Sequence, residues 1–132
     1  MATSLLQKAG YPTYSVLLPS VGASDETTIE DDMTYVRDRM ILPILDHEKH
    51  DVILVLHSYG ALPGGAAAFD LSKERRLRQG KTTGVIGQIY CAGLLQKGVN
   101  GIGVLELVGG DLGPGFRVDV SVYLRFIVYL TV

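Results

Sequence analysis

The chain has 132 residues, of which 47% are hydrophobic and 16 are glycine, and a formal net charge of −2. That length suits one domain able to bury about two-thirds of the surface its unfolded form exposes, and the composition lies far from that of disordered chains. The slight acidity excludes wholesale attraction to nucleic acid, and the lone Cys91 excludes an internal disulfide.

The N-terminal stretch has only Leu5 and Leu6 as an apolar core, too short for a signal peptide or anchor. The most apolar segment, 118–132, is shorter than the roughly 20 residues a membrane helix needs and contains Asp119 and Arg125. A cytoplasmic protein without a membrane span is therefore expected.

In chain order, residues 13–18 read as a first strand closed by Pro19 and Ser20. Thr27 with Glu30 three residues on predicts a capping box. Behind it Ile29, Met33, Val36 and Met40 recur at helical spacing. Glu30, Asp31 and Asp32 suit the positive end of that helix, and Pro43 is expected to kink or end it. Residues 52–56 are five consecutive apolar residues, the pattern of a parallel strand covered by helices on both faces. A turn at Ser58-Tyr59-Gly60 leads into a helix over 61–69, a second helix is expected over 72–79, and a further strand over 85–92. The alternation implies an α/β fold with a parallel sheet, and ligands at the carboxyl ends of its strands. From 118 to 132 every even position is apolar, which predicts a half-buried strand. No internal repeat is present.

The sharpest chemical signal is the run from Val52 through His57-Ser58-Tyr59-Gly60, a buried strand delivering a serine into a tight turn before a helix. This is the context of a nucleophile elbow, in which the strained turn lifts the hydroxyl above the sheet. The backbone N–H of Tyr59 is then placed to stabilise an oxyanion. The usual motif has glycine two residues before the serine, where this chain has Leu56. An ordinary strand-to-helix turn with a serine N-cap is the alternative.

His57-Ser58-Tyr59-Gly60 followed by Leu62-Pro63-Gly64, with Leu71-Ser72-Lys73 and Gly80-Lys81 beyond, resembles the α/β hydrolase superfamily. The run is similar in particular to fungal members with leucine or methionine before His-Ser-Tyr-Gly. Ala9-Gly10-Tyr11, Leu18-Pro19-Ser20, Tyr90-Cys91-Ala92-Gly93 and the segment ending at Asp119 extend the likeness over residues 1–119. The tail 120–132 carries no likeness. The resemblance implies a partial hydrolase domain, truncated at both ends, whose third strand and C-terminal half are missing. It further implies hydrolysis of a small-molecule ester or lactone without metal or organic cofactor, in fungi often within secondary metabolism. Ser58 is the implied nucleophile and Tyr59 the implied backbone oxyanion donor.

In this fold the triad runs serine, acid, histidine along the chain, yet His47, His50 and His57 all precede Ser58. His57 adjoins the nucleophile and cannot turn back on it, while His47 and His50 are expected at the opposite sheet edge. Little triad hydrolysis by these residues alone is expected, because loss of a triad histidine costs about a millionfold in turnover. The missing third strand would leave a gap between the first two strands, with the alternating tail as candidate filler and self-association through exposed sheet edges as another outcome.

Weaker signals are set aside. The segment 46–51 (Asp-His-Glu-Lys-His-Asp) lacks the spacing of a metal motif and reads as a solvated helix end. Gly80-Lys81-Thr82 has Arg75 where a phosphate loop needs glycine. Lys73, Arg75, Arg76 and Arg78 read as a solvated helix face, and Cys91 as a small buried hydrophobe. Two functions remain: a serine hydrolase with an incomplete triad, or an inactive remnant or binding module keeping part of the pocket.

Overall fold

The computed structural model describes residues 2–23 and 26–93 and a two-residue strand at 127–128. The glycine-rich segment 98–115 and most of the alternating tail lie outside the described residues. Helix α1 (Ala2–Lys8) ends where Tyr11 N–H returns to Leu6 O and Gly10 adopts φ +88°, the left-handed turn that glycine makes at least cost. Strand β1 is Thr13–Tyr14 only, shorter than the predicted 13–18, because the ladder it joins pairs just those two residues.

Helix α2 is Ile29–Tyr35. Its capping box lies one residue later than the sequence suggested. Thr28 Oγ1 accepts from Asp31 N–H, and the Asp31 carboxylate accepts from Thr28 N–H at 2.9 Å. The Thr28 N–H and then its hydroxyl, which donates to the same carboxylate at 2.9 Å, hold the Asp31 carboxyl below its usual range. Pro43 does not end the helical run. The chain passes into a π-helical stretch at Val36–Ile41, where Leu42 N–H reaches Arg37 O, and into another at Ile44–Glu48. The wider turns accommodate a proline that lacks an N–H and would crowd the preceding carbonyls of a regular α-helix. Lys49, at φ +60°, then reverses the chain.

Strand β2 (Val52–His57) follows, then a 3-10 turn at Ser58–Gly60 and helix α3 (Ala61–Ala67). Ser72 caps helix α4 (Lys73–Arg78), which leads to strand β3 (Val85–Cys91). Strands β2 and β3 are parallel, in register from Val52 opposite Val85 to His57 opposite Cys91, with one irregularity after Val52. The described sheet is mixed, in the order β1-β4-β2-β3, where β4 is Ile127–Val128. Val128 pairs antiparallel with both Thr13 and Ile53. The described part of the C-terminal segment thus lies between β1 and β2, which makes those two strands parallel to each other.

The core is one-sided. Val52, Leu54 and Leu56 are buried in one cluster with Val36, Met40, Ile41, Ile44 and Leu45 and with Ala61, Ala67 and Leu71. On the other face of β2, Ile53, Val55 and His57 are only half-buried, and their β3 neighbours Ile89 and Cys91 are exposed. Equal helical cover of both faces, expected from the unbroken apolar run, is not what the described residues form.

Two ion-pair clamps tie this frame together at the start of β2 and β3. Arg76, expected on a solvated face, is 3% exposed. Its guanidinium donates to Thr83 O at 2.7 Å and to Asp46 at 2.7 Å, and the hydrogen bond from Arg76 leads the causes that hold the Asp46 carboxyl low. Asp51 accepts from Lys73 Nζ and from Gly84 N–H at 2.8 Å. Two carboxylates of the segment read as a solvated helix end are thereby engaged, while His47, Glu48 and Lys49 are exposed. If β4 joins β1 and β2 as described, amide exchange at Val128 and at Ile53 should be protected together. Free exchange at Val128 with Ile53 protected would remove β4 from the sheet.

Candidate active site

The site is assembled at the carboxyl end of β2. His57 ends the strand in extended conformation, at φ −114° and ψ 134°. Ser58 then takes φ +50°, a left-handed conformation that costs a residue with a Cβ about 1–3 kcal/mol. Tyr59 and Gly60 complete the 3-10 turn, and Ala61 N–H closes it onto the carbonyls of Ser58 and Tyr59. A serine N-cap would hold extended dihedrals and accept from the helix with its hydroxyl. Neither α3 nor the turn before it has a side-chain cap bond, and the residue preceding α3 is Gly60.

The bulk of Leu56, where glycine is usual, is accommodated from the other side. A Cβ on Gly64 would collide with the Leu56 side chain, and one on Gly65 would lie 3.0 Å from Tyr90 Oη. The close approach of β2 and α3 is kept by moving the small residues from the strand into the helix. Gly93 contributes too, since a Cβ there would lie 2.7 Å from that of Ala61.

A second feature of the site was not singled out from sequence. Asp32 is fully buried on α2, and its carboxylate accepts three hydrogen bonds. Ser20 donates its N–H at 2.9 Å and its hydroxyl at 2.6 Å, and Tyr59 donates its phenol at 3.0 Å. The loop after β1, the first turn of α2 and the turn at Ser58 therefore meet at one carboxylate. Burial first, and then the bond to Asp32, push the Tyr59 phenol up to about 12. From the sequence Asp32 reads only as a partner of the helix dipole. The available signal was its place on the apolar stripe, four residues before Val36.

Ser58 and Tyr59 are both half-buried. The histidines are not gathered with them. His47 and His50 both precede the start of β2, and the six residues of that strand separate them from Ser58 by about 20 Å. His57 lies beside Cys91 across the parallel pair. Cys91, expected to be buried, is exposed at the end of β3. Among the described residues no three His, Cys, Asp or Glu side chains come together as a metal site, and no helix is long and apolar enough to cross a membrane. A groove of about 320 Å³ lined by Ala68, Ser72 and Val85 lies towards the opposite end of β3 and does not include Ser58.

Comparison with family models, with curated proteins and with solved structures finds no match to this chain.

Two outcomes follow. Gly64→Ala should destabilise the fold by about 1–3 kcal/mol through overpacking, and in urea denaturation it should cost less in a Leu56→Ala background, so that the double variant loses less than the sum of the two single losses. Additive losses would contradict the contact. The raised Tyr59 phenol stabilises the folded state fully below pH 10, and that contribution is lost as pH rises through about 12. The wild type should therefore lose stability over this window relative to Tyr59→Phe, and parallel curves would count against the buried bond.

Proposed function

We propose that the chain is the nucleophile-bearing part of a serine hydrolase of the α/β hydrolase type, acting on an ester or lactone carbonyl. The observation that carries the reading is the left-handed backbone of Ser58 between a buried parallel strand and a helix. Nothing in an ordinary strand-to-helix turn requires a residue other than glycine to hold that conformation, whereas a nucleophile elbow uses it to expose the hydroxyl.

In the proposed reaction Ser58 Oγ attacks the carbonyl carbon as its proton passes to a general base. The carbonyl oxygen becomes an oxyanion that accepts from Tyr59 N–H. Collapse expels the alcohol, which takes up the proton, and water then releases the acid from Ser58. None of the three histidines suits the role of base, so the reading assigns that role to an imidazole from outside these residues. A second reading, a binding module that keeps the elbow without turnover, draws on the distance of His47 and His50 from Ser58 and on the place of His57 immediately before it.

Chemical rescue separates the two. A fluorophosphonate probe should modify Ser58 slowly, with added imidazole accelerating the modification and Ser58→Ala abolishing it. Modification that ignores imidazole, or that persists in Ser58→Ala, favours the binding module.

A further inference from the structure

Asp32 stands out among the described polar groups. It is a carboxylate with no exposed surface, held by no cation, and engaged only by Ser20 and Tyr59. Asp31 is exposed and bonded only within the capping box of α2, and Asp46, Asp51, Asp70 and Glu74 each pair with a lysine or arginine at a distance from the elbow. Burying an unpaired carboxylate is costly, and neutral donors offset that cost only when their geometry is fixed. The reverse also holds: a carboxylate that needs all its donors keeps each of them in place. One of these donors belongs to the residue whose backbone N–H faces the developing oxyanion.

We propose that Asp32 is a positioning residue for the oxyanion site, holding the Ser58–Tyr59 peptide in its catalytic orientation by tethering the Tyr59 phenol to the loop after β1. This inference rests on the hydrolase reading of Ser58. The tether is short and three-sided. Ser20 fixes one carboxylate oxygen through its main chain and the other through its hydroxyl, and the second oxygen also receives Tyr59 Oη. Tyr59 is thereby held at both ends, by the 3-10 turn at its backbone and by Asp32 at the tip of its ring. Its ring packs against the core cluster, so Tyr59→Phe removes the tether while keeping the packing. Burial first, and then the bond to Asp32, keep the phenol neutral, with Glu30 acting the same way and Ser20 opposing them.

The test follows Ser58 modification by a fluorophosphonate in the presence of imidazole, with reversible binding of the probe and the bond-forming rate measured separately. Tyr59→Phe and Asp32→Asn should each lower the bond-forming rate by about tenfold, below the hundredfold or more typical of deleting an oxyanion donor outright. Probe binding should be unchanged. The double variant should be no slower than the slower single one, because both act through one bond. Thermal unfolding of each variant reports the loss of structure separately, and Tyr59→Phe keeps the test alive if Asp32→Asn does not fold. A folded Tyr59→Phe that reacts at the wild-type rate, or two effects that multiply, overturns the positioning role. No modification of Ser58 in the wild type would instead remove the hydrolase reading itself.

Discussion

The left-handed turn at Ser58 is the constraint around which the described structure is arranged. A parallel strand and the following helix meet at one residue, and that residue carries a Cβ in a region of backbone space that favours glycine. Such a conformation persists only when its neighbours over-determine it. They do so in three ways here. Leu56 is buried against Gly64, Gly93 allows the end of β3 to approach Ala61, and Asp32 holds the adjacent Tyr59 from across the α2 layer.

The remaining polar interactions serve the frame rather than the turn. Arg76 with Asp46, and Lys73 with Asp51, fasten the segments that lead into β2 and β3. Arg37 donates to the carbonyls of Ala67 and Phe69 and so satisfies acceptors left open at the end of α3. One end of the sheet is thus closed by ion pairs and the other by neutral donors around a single carboxylate.

Much of this was legible in the sequence because it depends on local pattern. The unbroken run 52–56, the turn residues and the strand-to-helix order identified β2, the turn at Ser58–Gly60 and β3. Ser58 was singled out correctly as the residue at the turn. What failed depended on neighbours distant in sequence. A basic run on a short helix gives no hint that Arg76 alone is buried, because its partner Asp46 lies thirty residues earlier. The exposure of Cys91 follows from a sheet face that lacks cover among the described residues, which strand propensity does not report. The alternation of the tail predicted a strand and the resemblance offered it as filler between the first two strands; Ile127 and Val128 pair there, and the rest of the tail lies outside the described residues. The hydrolase proposal rests on resemblance and on the backbone geometry at Ser58 together.

A crystal structure of the chain after reaction with a fluorophosphonate would test the central claim most directly. The account predicts phosphorus bonded to Ser58 Oγ, Ser58 still at positive φ, and the phosphoryl oxygen accepting from Tyr59 N–H at about 2.7–3.1 Å. Phosphorus on another residue, or Ser58 in an ordinary helical conformation with Tyr59 N–H turned away from the adduct, would contradict it.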